Sequence, residues 1–96
     1  MPIVVQPAAA ADIDEAFLWY EGRREGLGFE FLAAVQSTLD AIISRPTAYQ
    51  VVHRDTRRAL LRRFPYAIFF RIYDDIIIVV ACMHARRHPG QWKSRS

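Results

Sequence analysis

The feature that most constrains this chain is a pair of apolar runs near its C-terminal end, Tyr66 to Tyr73 and Ile76 to Met83. Both are rich in β-branched, aromatic and aliphatic residues and read as strands. The second contains Ile76-Ile77-Ile78-Val79-Val80-Ala81, which is apolar on both faces, so neither face can be left to water. That pattern predicts a central strand with a helical layer on one side. The run is also far short of the roughly 20 residues a membrane span requires. Asp74-Asp75 separates the two runs. An Asp-Asp loop is less favourable than Asp-Gly in a two-residue hairpin, so the register is left open.

The residues upstream supply the rest of the sheet and its cover. Ile3 to Gln6 reads as a short first strand. Pro7 then stands where a helix accepts proline, at its first position. Ala8 to about Glu25 follows without a breaker before Gly22, and Ile13, Phe17 and Tyr20 form an apolar stripe at helical spacing. Gly26-Leu27-Gly28 is a stop and turn. A second helix is predicted from about Phe29 to Ser44, where Leu32, Val35, Leu39 and Ile42 repeat at intervals of a buried seam. Pro46 ends it by disfavouring helix at Arg45. So short a linker makes the two helices an antiparallel hairpin. Thr47 to Thr56 is polar and mixed and reads as a loop, and Arg58 to Arg63 reads as a further strand closed off by Phe64-Pro65.

The predicted order is β-α-α-β-β-β. It describes an α+β fold, a small antiparallel sheet with an N-terminal strand and a two-helix hairpin packed on one face. A chain of 96 residues holds one such domain, residues 1–96, with residues 86–96 expected as a flexible basic tail. Met1-Pro2-Ile3-Val4-Val5 lacks the charged front and cleavage site of a secretory signal. The single cysteine, Cys82, cannot form an internal disulfide. Together these point to a reducing, cytoplasmic setting with no membrane association.

Charge is unevenly placed. Residues 1–48 carry seven acids and three arginines, a net of −4. Residues 49–96 carry ten bases and three acids, a net of +7, and twelve of the thirteen bases of the chain are arginine. Such asymmetry suits a surface for nucleic acid or for an acidic protein, because guanidinium pairs bidentately with phosphate and carboxylate. The basic cluster comprises Arg57, Arg58, Arg62, Arg63, Arg71, His84, Arg86, Arg87, His88 and Lys93, with Tyr66, Tyr73 and Trp92 as interleaved aromatic surface. Arginine with stacking aromatics serves single-stranded RNA recognition. It serves protein hot spots equally well. Composition does not separate the two.

Other chemistries find little to work with. None of Gly22, Gly26, Gly28 and Gly90 stands in a phosphate-cradling loop after a strand. Ser37 and Ser44 fall in a predicted helix, and Ser94 and Ser96 in the tail. Cys82, His84 and His88 lack the further ligand that a zinc site needs. The carboxylates gather on the first helix as a solvated face. No metal, cofactor or catalytic residue is therefore expected.

The chain resembles the ParE/RelE superfamily of toxins from bacterial type II toxin–antitoxin systems, over nearly its whole length. The resemblance rests on Pro7-Ala8, Ala11-Asp12-Ile13-Asp14-Glu15, Phe31-Leu32, Leu39-Ile42 and Arg45-Pro46. It continues through Arg58-Ala59-Leu60-Leu61-Arg62-Arg63-Phe64-Pro65-Tyr66-Ala67-Ile68-Phe69-Phe70-Arg71-Ile72 and closes on His84-Ala85-Arg86-Arg87-His88-Pro89 and Trp92. RelE-like toxins cut mRNA on the ribosome with basic residues of the sheet and a C-terminal tyrosine. ParE-like toxins keep the fold without that constellation and poison DNA gyrase. Where RelE members carry a functional arginine after Tyr66, this chain has Ala67. Where they carry the tyrosine it has Trp92, whose indole cannot act as a phenolic acid or base. Arg86 matches a retained family arginine.

The resemblance thus implies a ParE-like toxin that inhibits gyrase by binding, with a ribosome-dependent mRNA endonuclease using Arg62, Arg63, Arg86 or His84 as the alternative. A third reading is a basic module that binds nucleic acid without toxicity. The toxin reading implies a cognate, ParD-like antitoxin, a toxin–antitoxin hetero-oligomer, and contact with operator DNA only through that antitoxin. Arg58, Arg62, Arg63, Tyr66, Arg71, His84, Arg86, Arg87 and Trp92 are the candidate partner-binding residues.

Overall fold

The computed structural model describes residues 1–86 and 89–95. The elements run β1 (Ile3–Val5), α1 (Pro7–Arg23), α2 (Leu27–Ser44), a single 3₁₀ turn (Pro46–Ala48), β2 (Val51–His53), β3 (Thr56–Leu60), β4 (Tyr66–Tyr73), β5 (Ile76–His84) and α3 (Gly90–Lys93). They form one five-stranded sheet in the order β1-β5-β4-β3-β2. β1 runs parallel to β5 and every other pair is antiparallel. The sheet is therefore mixed, with the helical hairpin on one face. The segment expected as a loop contains β2, an edge strand of three residues whose pairing with β3 is irregular. β3 correspondingly starts at Thr56 and ends at Leu60, ahead of Arg62 and Arg63.

The hairpin is held where its two helices meet. Pro7 opens α1 as expected. Near its other end, Glu21 turns its carboxylate onto the start of α2 and accepts the Gly26 and Gly28 amides at 2.9 Å each. These are amides that the first turn of a helix leaves without intrahelical partners, and a negative charge there also suits the helix dipole. Gly26 has φ +88°, a left-handed conformation that side chains resist. Gly28 is required for another reason. A Cβ there would stand 2.7 Å from the Phe17 carbonyl oxygen and 2.8 Å from its ring.

The core lies on both faces of the sheet. Between hairpin and sheet, Ala9, Ala16, Tyr20, Phe31, Val35 and Ile42 pack on Ala59, Ile68, Phe70, Ile77, Val79 and Cys82. Tyr20, Phe31, Phe64 and Tyr66 form an aromatic knot at one end, with ring centroids 4.9–5.9 Å apart. On the opposite face, Ala67, Phe69, Val80, Ala81, Met83 and Trp92 make a second, smaller cluster. A bulge between Phe69 and Phe70 pairs these residues with Ala81 and Val79, so Val80 is the extra residue of β5. Val80 and Ala81 consequently both belong to the second cluster. The hairpin that joins β4 and β5 is tight, pairing Tyr73 with Ile76. Asp74 and Asp75 both take positive φ, 53° and 65°, the pattern of a two-residue turn whose twist matches the strands.

Candidate partner-binding surface

The described partner-binding candidates that the sequence groups together are distributed by the fold over three places. Successive side chains of a strand point to opposite faces, so each position follows from register. Arg58 pairs with Phe69 across β3 and β4, which sets it on the sheet face away from the hairpin. Arg71 lies two residues beyond Phe69 on the same face. Its guanidinium is 3.7 Å from the Asp55 carboxylate and 5.8 Å from the Tyr73 ring centre. Buried beneath this face, the Thr56 hydroxyl and the Arg71 Nε have no hydrogen-bond partner among the described residues.

Arg62 and Arg63 occupy the turn between β3 and β4 instead. They border a cavity of about 260 Å³ together with Glu30, Ala33, Ala34, Ser37 and Thr38 of α2. Arg63 donates to Glu30 at 2.7 Å and Arg24 donates to its other oxygen at 2.9 Å. The Arg63 hydrogen bond, followed by that of Arg24, holds the Glu30 carboxyl below the usual range.

The third place joins Tyr66 and His84, whose rings meet edge to face at 5.7 Å below α1. His84 Nδ1 accepts the Arg86 amide at 3.1 Å. Arg86 is exposed, and Arg87 and His88 lie outside the described residues.

Trp92 requires a correction. Expected as an exposed aromatic in the basic tail, it is 7% exposed and sits in α3. Its ring stacks on Phe69 with centroids 4.3 Å apart and planes 17° from parallel. The cause is the second face of the sheet, whose apolar residues need a cover that the hairpin cannot reach. The tail is further tied down by Arg95, which pairs with Asp12 of α1 at 2.5 Å and reaches the Val80 carbonyl at 3.3 Å. Asp12 also accepts the Cys82 amide at 3.0 Å.

Sequence reasoning missed one group on this face. His53 of β2 lies with its ring centre 6.1 Å from Trp92. The alternation that would have placed it was hidden because its segment read as a loop. The remaining nucleophile is poorly suited to chemistry. Burial, reinforced by the Asp12 charge, pushes the Cys82 thiol up to about 12. Burial and then Tyr66 also raise the Tyr20 phenol. Among the described residues, no group of three or more His, Cys, Asp or Glu side chains is placed to hold a metal. Among the described residues, His53 meets the Trp92 ring and His84 meets the Tyr66 ring.

Comparison with known proteins agrees with the architecture. No curated protein matches the chain. A solved structure described as the chromosomal ParDE toxin–antitoxin system from P. aeruginosa is similar in fold, with a TM-score of 0.63 and 22% identity. The match covers 88% of this chain and 95% of the other. The family model for the ParE toxin of the type II toxin–antitoxin system, parDE, matches residues 3–89. With that model spanning β1 through the end of the sheet, the chain belongs to the ParE toxin family.

Proposed function

We propose that this toxin acts by binding DNA gyrase in a form that damages DNA, and that a cognate ParD-like antitoxin neutralises it in a hetero-oligomeric complex. The observation that carries the reading is the pair Ala67 and Trp92, both buried in one cluster on the open sheet face. RelE-like toxins place an arginine and a tyrosine at these positions. Here a methyl group and an indole stacked on Phe69 supply neither charge for a transition state nor a transferable proton. Arg62 in the turn and Arg71 on the open face are available to an acidic partner segment that folds as it binds. Arg62→Glu and Arg71→Glu are expected to weaken antitoxin binding. Inducing the chain alone and following the cell's response tests the proposal: a DNA-damage response with intact messages supports it, and translation arrest with discretely cut messages rejects it.

A second reading, a ribosome-dependent mRNA endonuclease, draws on His53. It is an imidazole on the face that carries Arg58 and Arg71, and it could take a proton from an attacking hydroxyl. Cuts mapped by primer extension and lost in His53→Ala would favour this reading.

A further inference from the structure

We infer that the cavity between α1 and the neighbouring ends of β4 and β5 is a receptor for one basic side chain, a lysine ammonium or an arginine guanidinium, of a protein partner. The cavity measures about 270 Å³ and is lined by Glu15, Trp19, Tyr20, Pro65, Tyr66 and His84. Four of its six walls are aromatic rings in unbroken contact. Trp19 meets Tyr20 at 5.0 Å, Tyr20 meets Tyr66 at 5.9 Å, and Tyr66 meets His84 at 5.7 Å. Rings with electron-rich faces and an acid at the rim attract a cation that brings an apolar stem.

The charge of the cavity selects the occupant. Glu15 is exposed and forms no ion pair with any described residue, whereas the nearby Asp12 is already matched by Arg95. No described arginine or lysine lines the space, although residues 49–96, which supply Pro65, Tyr66 and His84, are rich in them elsewhere. His84 Nδ1 accepts the Arg86 amide. Among the described residues, no guanidinium or ammonium lines the cavity to balance an anion. The indole also shows its affinity for cations within the chain, since the Arg23 guanidinium lies 4.4 Å from the Trp19 ring centre without entering the cavity.

Size restricts the ligand further. Pockets for whole small molecules usually hold about 300–1,000 Å³, so this one fits a single long side chain better than a free metabolite. Trp19, 53% exposed, and Leu18, 68% exposed, give the surrounding partner backbone apolar surface to cover. The inference does not depend on gyrase or on an antitoxin being that partner.

The test uses the whole chain and side-chain analogues as probes. Amide and indole NMR signals are followed while n-butylguanidinium or n-butylammonium is added, with neutral n-butanol as the control. Saturable shifts at the Trp19 indole and at the Tyr66 and His84 amides are expected from the cations. Glu15→Gln should weaken them about fivefold, the scale of one exposed ion pair, while Asp14→Asn on the same helix leaves them unchanged. Equal binding of butanol, indifference to Glu15→Gln, or no saturable shift at these positions would overturn the inference.

Discussion

Trp92 lies face to face with Phe69, ring centroids 4.3 Å apart, and closes the sheet face that the helical hairpin leaves open. The contact makes the C-terminal segment part of the core. Trp92→Ala should cost about 3 kcal/mol, within the usual range for a buried tryptophan, whereas Trp19→Ala, at a half-exposed site, should cost about 1 kcal/mol or less. Urea unfolding of the two variants measures the contrast, and equal losses would mean the tail does not pack as described.

The glycines of the helical hairpin make opposite predictions. Gly28→Ala drives a methyl group into the Phe17 carbonyl and ring and should destabilise by about 1–3 kcal/mol. Gly22→Ala, with open space around it near the end of α1, should stabilise by about 0.5–1 kcal/mol. Thermal unfolding of the pair decides the matter.

Glu30 gives a pH dependence of known sign. Its carboxyl is lowered from the ordinary 4.5, first by the Arg63 hydrogen bond and then by Arg24. A carboxylate lowered on folding adds stability above its unfolded pKa and loses it as pH falls through the folded value. The contribution should therefore disappear in acid and shrink in high salt, because the pair is exposed. Carboxyl NMR should show Glu30 titrating below the ordinary glutamate value of 4.5 and moving upward in Arg63→Ala.

Cys82 should be inert while the chain is folded. Its thiol is 1% exposed and pushed up to about 12, so the reactive thiolate is nearly absent at neutral pH. A thiol reagent at pH 8 should label it only as fast as the protein unfolds. Rapid labelling of native protein would contradict the packing around β5.

The elements legible in the sequence were those with strong periodicity. The apolar run of β5 and the proline at the start of α1 each point to one conformation, and the structure contains both. α2 also forms, but its buried side chains are Phe31, Val35, Thr38 and Ile42, with Leu32 and Leu39 of the expected seam half-buried. β2 was not legible because three residues, Val51-Val52-His53, are too few to show alternation beside a polar turn. The position of Trp92 was hidden for a different reason. A lone tryptophan in a basic tail has no pattern, and its burial depends on an apolar sheet face assembled from β4 and β5. The division of the arginines depends on register, and the bulge at Phe69 and Phe70 shifts that register in a way no alternation count predicts. The bond between Asp12 and Arg95 spans 83 residues and has no local signal at all.

Purified toxin and gyrase test the proposed target directly. In a supercoiling assay with relaxed plasmid, added toxin should abolish supercoiling and leave cleaved DNA held by the enzyme, and prior addition of the antitoxin should restore the normal product. Undisturbed supercoiling, together with messages cut on translating ribosomes by the same preparation, would contradict it.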